Sequence, residues 1–424
     1  MMWAMPSSVA EIVNPIDPEE IPDWARAMTS TFLDDPAGPE FVRRRGLLES
    51  VWEPDRAWGA RAQGQWVATL RTETRLLSVP GPGTATADVR ADALTNVTVA
   101  ASHRRQGLMR LMLTGSLRAA RDRGDALSIL LAAEWPIYGR FGYAPATLSA
   151  DYVLRRSRAG SATAGDPSRV RIVDSPQFGR VAPEVFAAAR RQRAGQLDRA
   201  GAWWDRVLGL GGFDRSPSVP ANLCVHEGDA GPDGILGWRS GGDFGLMPPL
   251  GSVDVSWLAA ATDEAYRNLW SYLTGIDIVD EIRLSGRPVD ERIRWQLPDA
   301  RTLVLTGQVD FLWMRLLDVR AALTARRYAV PGEVVLQVID ESPDGFTAGR
   351  YRLAADGDEV TCERTDRSAD VVLDQRALAS IYLGGFRLEA LTLDDAVREE
   401  TPGALSRMSV MFSTPLAPWD ATWF

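Results

Sequence analysis

Cysteine and histidine are nearly absent from this chain: Cys224, Cys362, His103 and His226 are the only four among 424 residues. Two cysteines build no disulfide framework and fit a reducing cytoplasm. No His/Cys cluster has metal-ligand spacing, and Cys224-Val225-His226 alternates as a strand would, so neither a metal site nor a histidine-based triad is expected. Long apolar runs are missing too, so no membrane span is expected. Met1-Met2-Trp3-Ala4-Met5-Pro6 lacks the basic start and apolar stretch of a signal peptide, and its paired methionines offer two starts. Positive charge is in deficit: 47 Lys and Arg against 56 Asp and Glu give a net charge of −9. That argues against non-specific binding to nucleic acid or anionic membranes and favours cationic partners. The apolar fraction, 45%, is that of an ordinary globular protein, and the length predicts two to three domains.

What is present is organised around Asp92–Ala146. Ala93-Leu94-Thr95-Asn96-Val97-Thr98-Val99 reads as a short β-branched strand. The loop His103-Arg104-Arg105-Gln106-Gly107-Leu108-Met109-Arg110 opens a helix whose Leu108, Leu111, Met112, Gly115 and Ala119 share one face. Gly124 ends that helix, and Leu127-Ser128-Ile129-Leu130-Leu131 is the next strand. A helix N-terminus presents unpaired backbone N–H groups, Gly107 admits close approach of a ligand, and Arg104 and Arg105 add positive charge. Such a loop suits a pyrophosphate, although a solvated basic loop would read the same way.

This loop resembles the R/Q-x-x-G-x-G/A acyl-CoA signature of the GNAT N-acetyltransferases, with Arg104 and Gly107 in the first two places and Met109 departing from the last. The run Ala133-Glu134-Trp135-Pro136-Ile137-Tyr138-Gly139-Arg140-Phe141-Gly142-Tyr143-Ala144-Pro145-Ala146-Thr147, following that loop, resembles the Eis (enhanced intracellular survival) aminoglycoside acetyltransferase family. So does the aromatic end, Thr422-Trp423-Phe424. The resemblance implies acetyl-CoA as co-substrate, bound by Val97, Thr98 and Val99, by the loop from Arg104 and Arg105 through Gln106, Gly107, Leu108 and Met109 to Arg110, and by Ala133 and Glu134. It implies Tyr138 as general acid, with Tyr143 as runner-up, and the carboxylate of Phe424 as base. A phenol is protonated at neutral pH and a terminal carboxylate is ionised, so both assignments are chemically sound. Phe32 and Asp34 match the family's aromatic and acid lining the amine pocket, though a helix-ending turn would also place them there. The size and apolarity of Trp423 and Phe424 favour docking of the tail over fraying.

Along the chain, Pro18–Phe32 reads as a first helix with Trp24 in its apolar stripe. Ala57–Val79 reads as a hairpin with Gln63-Gly64-Gln65 at the tip. Ser157–Ser168, rich in small and polar residues, marks a first boundary. Strand, loop and helix recur at Ser252–Leu273, where the loop carries Thr262, Asp263 and Glu264 and no glycine. A capped, acidic helix start repels a pyrophosphate. The expected class is therefore α+β: an acetyl-CoA-binding GNAT domain (1–156), a second GNAT-like domain without a CoA site (169–305) and a sterol-carrier-protein-like domain (306–424). In the last, Glu333–Ile339, Gly345–Leu353, Glu359–Glu363 and Asp370–Leu373 should form a meander, followed by helices near 375–383, 393–399 and 405–412, with an extended tail.

The leading function is acetyl transfer to a polycationic amine, a polyamine or aminoglycoside-like small molecule, or to lysine side chains. Alternatives are a lipid or sterol carrier using the last domain, and a regulator that binds acetyl-CoA without turnover. The family resemblance also implies a homohexamer.

Overall fold

Three β-sheets organise the described residues. The computed structural model describes residues 10–83, 85–156, 165–199, 201–212, 216, 219–243 and 250–424. Met1–Pro6 and most of the linker expected at Ser157–Ser168 lie outside them. Among the described residues no helix is long and apolar enough to cross a membrane.

The first sheet contains β1 (Glu11–Val13), β2 (Ala57–Ala62), β3 (Gln65–Pro80), β4 (Thr86–Val99), β5 (Leu127–Leu131) and β6 (Ala144–Pro145). Helices α1 (Ile21–Thr31) and α2 (Pro39–Ser50) precede the β2–β3 hairpin. Its two-residue turn puts Gln63 and Gly64 at φ 52° and 77°, the left-handed pair that a tight hairpin needs. Strands β1 to β4 pair antiparallel. β4 then pairs parallel with β5 through the crossover helix α3 (Leu108–Asp122). A short helix α4 (Trp135–Tyr138) follows β5. Strand β4 is longer than the expected Ala93–Val99, because β3 pairs with it as far back as Thr86.

The second sheet repeats the plan with β7 (Leu148–Arg155), β8 (Val170–Val173), β9 (Asn222–Gly228), β10 (Gly231–Asp243), β11 (Leu250–Ala260), β12 (Glu281–Arg287) and β13 (Leu303–Asp310). Helices α5 (Ser175–Arg190), α6 (Gly201–Leu208) and α7 (Asp263–Gly275) accompany it. The β11–β12 pair is parallel, as β4–β5 is.

Strand β14 (Leu312–Leu316) returns to the first sheet, between β5 and β6. The sheets therefore cross two expected boundaries. β7, inside 1–156, belongs to the second sheet, and β14, inside 306–424, belongs to the first. Both exchanges satisfy strand edges that would otherwise carry unpaired backbone groups.

The third sheet, β15 (Gly332–Ile339), β16 (Gly349–Asp356), β17 (Glu359–Arg364), β18 (Val371–Asp374) and β19 (Val397–Glu399), is flanked by α8 (Val319–Ala325), α9 (Gln375–Ile381) and α10 (Ala404–Phe412). The expected four-strand meander holds only for β15–β17. β18 crosses back to pair parallel with β15. The helix expected near 393–399 is a 3-10 turn (Leu388–Asp394) followed by β19, whose Val397 registers with Leu373 of β18.

Alternation along the first sheet sends neighbouring residues to two cores. Ala93, Ile129 and Met314 join one that continues into Leu336, Leu353, Leu378 and Met411 of the third sheet's layer. Leu94, Leu130 and Trp313 face the other, with Met112, Leu113 and Leu117 of α3. β14 is thus the splice between first and third layers. Trp313 is 2% exposed and meets Trp135 edge to face at 4.9 Å. Trp313→Ala should cost about 3–5 kcal/mol, read as a lowered urea midpoint for the first sheet, the range for deleting a buried indole.

Candidate active site

β4 is held by β5 only from Ala91↔Leu127 to Leu94↔Leu130. Beyond Leu94 the two strands diverge, while β3 stays paired to β4 as far as Ala68↔Val99. The backbone of Thr95–Val99 therefore has one free edge facing a gap, with N–H and C=O groups that an extended amide chain can pair with. A break in β3–β4 register and a left-handed Asn96 (φ 56°) locate a bulge at the point of divergence.

The gap opens into a cleft of about 1180 Å³. Of the residues expected to hold acetyl-CoA, Val97, Thr98, Val99, Arg104, Arg105, Gly107, Leu108, Met109, Arg110, Ala133 and Glu134 all line it; Gln106 does not and is exposed. Thr98 contributes backbone only, because its hydroxyl is bonded to that of Thr69 at 2.6 Å. Gly107 caps α3 at φ 80°, a conformation side chains disfavour, and nothing lies within 4 Å of where a Cβ would stand. No side chain caps α3, and its first N–H-to-carbonyl bond of this turn is Leu111 to Gly107, at 3.0 Å. The donors ahead of it face the cleft, a ready anion site. Arg104 reaches Glu134 at only 3.8 Å, both sides exposed, and is free to turn towards a phosphate.

Tyr138 lines the same cleft, and its hydroxyl bonds to no described residue. Burial, with Glu134 adding, pushes its pKa up to about 12, so it is a proton donor at neutral pH. Tyr143 is fully buried and its hydroxyl is bonded to Ser128 at 2.6 Å. It is a core residue, which removes it as the alternative acid.

A second cavity, of about 260 Å³, adjoins the first along β4: Thr95 and Asn96 line it where Val97–Val99 line the cleft, and Phe32 lines both. Phe424 is in its wall, and its carbonyl-side oxygen accepts from Thr95 Oγ1 at 3.1 Å. Asp34 is not in the wall of either cavity. It turns to Arg44 of α2, 2.6 Å away, because the turn after α1 points it back along the next helix. The side chains that do line the pocket, Arg71, Glu73 and Arg75 of β3 with Trp203 and Arg206 of α6, escaped the sequence reading. Charges two apart in a strand whose other residues are uncharged were the one signal available.

Residues 13–146 and 195–321 each match the acetyltransferase (GNAT) domain family, and 319–420 match the sterol carrier protein domain family. The chain is 37% identical to an uncharacterised N-acetyltransferase of Streptomyces avermitilis, over 96% of this chain and 97% of that one. It is 32% identical to the N-acetyltransferase Eis of Mycobacterium tuberculosis, over 76% of this chain and 77% of that one. The crystal structure of Eis1 from Mycobacterium abscessus superimposes with a TM-score of 0.82 at 30% identity, covering 98% of this chain and all of that one.

The tail that brings Phe424 to the pocket lies on the second layer. Trp419 donates from its backbone to Ala194 (3.0 Å) and from its indole to Gly286 (2.9 Å), and a Cβ on Gly195 would sit 2.9 Å from the Trp419 nitrogen. Arg199 donates to Thr422 and Ala421. Trp423, expected to bury itself, is 73% exposed and meets Phe311 edge to face at the rim of the pocket; the anchoring falls to Trp419, Asp420 and Thr422. Burial of Asp420, opposed by Arg199, raises its pKa from 3.8 to about 6. A raised carboxyl pKa means the folded state holds the proton more tightly, so this contribution is full below 3.8 and is lost as pH rises through about 6. Asp420→Asn cannot ionise. Its melting temperature relative to the parent should therefore rise across that window and level off above it, measured by thermal denaturation at stepped pH.

Proposed function

The chain belongs to the Eis family of GNAT N-acetyltransferases, and from that premise we propose that it transfers acetyl from acetyl-CoA, bound in the first layer only, to a primary amine held beside Phe424. GNAT domains take acetyl-CoA as co-substrate in general. The observation that carries the reading is the gap where β4 leaves β5, with the uncapped start of α3 and the Tyr138 hydroxyl in one cleft. In the second layer the matching helix is closed: Thr262 accepts from the Ala265 N–H at 3.0 Å, and Asp263 and Glu264 occupy the first turn.

The free edge of β4 would pair with the pantetheine amides and offer an N–H to the developing oxyanion. The amine, arriving as an ammonium, would lose its proton to the Phe424 carboxylate, directly or through water. Its lone pair would attack the thioester carbonyl, and the C–S bond would break with Tyr138 protonating the leaving thiolate. Net charge of −9 supports a polycationic acceptor, aminoglycoside-like or bearing lysine; the side chains lining the pocket speak for a different class. A cytoplasmic location fits two buried, free cysteines. Against a carrier function, the inward side chains of the third sheet are packed into the core shared with β14.

Thiol release from acetyl-CoA with and without an amine panel separates catalyst, carrier and regulator. A catalyst gives amine-dependent release. Tyr138→Phe should keep acetyl-CoA affinity and lower kcat about 10²-fold, the usual size of one general-acid contribution. A Gly-Ser-Gly extension after Phe424 keeps the ring and converts its carboxylate to an amide; kcat should fall similarly. Assembly as a homohexamer is part of the same proposal. Exposed Trp295, Leu305 and Val309 of the second layer are apolar groups an interface would cover. Sedimentation at micromolar concentration should give a hexamer's mass, and a monomer there would remove this element.

A further inference from the structure

The pocket beside Phe424 is built around arginine. Arg71, Glu73 and Arg75 follow one another at two-residue spacing on β3, and so share a face. Arg71 reaches one Glu73 oxygen at 2.9 Å and Arg75 pairs with the other, so a single carboxylate is divided between two guanidinium groups. Burial raises the Glu73 pKa, but Arg71 and Arg75 outweigh it and hold the carboxyl below its ordinary value. It is ionised and fully committed. Arg44 is matched separately by Asp34.

Arg206, from α6, lines the same pocket with no ion pair or hydrogen bond to any described residue. It is half-buried. Burial lowers its pKa, Arg75 and Arg71 lower it further, and Glu73 only partly opposes them. Three guanidinium groups thus surround one side-chain carboxylate in a small cavity. Desolvating a cation without a partner is unfavourable, and a planar guanidinium aimed into a cavity is the usual receptor for a carboxylate or phosphate. A polycation entering here would meet like charge on three sides.

Resting on the reading of this cavity as the acceptor pocket, we propose that the acceptor is a small amine that also carries an anionic group, a carboxylate or a phosphate, held by Arg206 together with Arg75. The ammonium end then lies towards Thr95 and Phe424, next to the cleft, and the anionic end lies towards α6. The 260 Å³ volume suits a molecule of amino-acid size. Acetylation forms the N–C bond, breaks C–S, releases the ammonium proton and leaves the anionic group untouched. The second layer, which keeps no open helix start of its own, supplies through α6 the residue that selects the acceptor.

The test is thiol release at saturating acetyl-CoA with four acceptors of matched length: propylamine, 3-aminopropionate, 3-aminopropylphosphonate and 1,3-diaminopropane. At least one anionic amine should exceed propylamine in kcat/KM by about tenfold or more, the size of one charge-assisted hydrogen bond. The two anionic arms distinguish carboxylate from phosphate. Arg206→Ala should bring the anionic-to-neutral ratio down towards one and Arg206→Lys should restore part of it, with acetyl-CoA binding by each preparation showing that the protein is folded. A misplaced helix would lower all four acceptors together and leave the ratio unmoved, which would overturn the proposal. Preference for 1,3-diaminopropane would overturn it while leaving acetyl transfer intact. Release with none of the four, in protein that binds acetyl-CoA, would overturn both readings.

Discussion

Everything at the candidate site depends on two parallel strands that are joined at one end and apart at the other. The joined end is fastened by Asp92, 1% exposed, which receives Arg56 and Arg123 at 2.8 Å each, while its carbonyl accepts from Ser128 Oγ of β5. Burial nonetheless wins over both arginines and raises its pKa to about 6. Two residues further, at Leu94, pairing stops. The fastening makes the opening possible, since strands that were loose throughout would slide together and close the gap. A rigid V with one free backbone edge is what an acyl thioester needs to lie flat against protein.

The same economy of position governs the smaller pocket. β3 lends its alternate face to the pocket while its other face fills a core, so the bulge at Asn96 and the Arg71–Glu73–Arg75 row are consequences of one long strand. The second layer has lost an open helix start but contributes α6, and the tail crosses both layers to end at Thr95. Two layers of like plan thus contribute differently: the first carries the open helix start beside the larger cleft, and the second supplies through α6 one wall of the smaller pocket.

Local signals were legible in the sequence. The Gly107 loop, the strand at Leu127–Leu131 and the α1 stripe with Trp24 were all readable, because each is set by neighbours within a few turns of chain. Pairings between distant segments were not. Nothing in Leu312–Leu316 says that its partners are β5 and β6, and nothing in Val371–Asp374 says that it will lie parallel to β15. The site divides the same way. The expected residues of the larger cleft, from 97 to 134, lie along one continuous stretch, and all but Gln106 line it. The smaller pocket is assembled from β3, α6 and the chain end, segments that no local pattern joins. Asp34 follows the helix-ending turn rather than a cavity wall because its partner, Arg44, lies on the next helix, and Trp423 stays exposed because size and apolarity do not specify which of two neighbouring aromatics is covered.

Strand β14 has a consequence for how the protein comes into being. The first sheet lacks its seventh strand until the chain has been made as far as Leu316, so the edge of β5 waits, open, while everything from Ala132 to Phe311 is synthesised. At about 5–20 residues per second that interval is on the order of 10–40 s. During it the nascent chain presents an unfinished apolar strand edge, and the first layer becomes a finished body only when the last layer has begun to emerge.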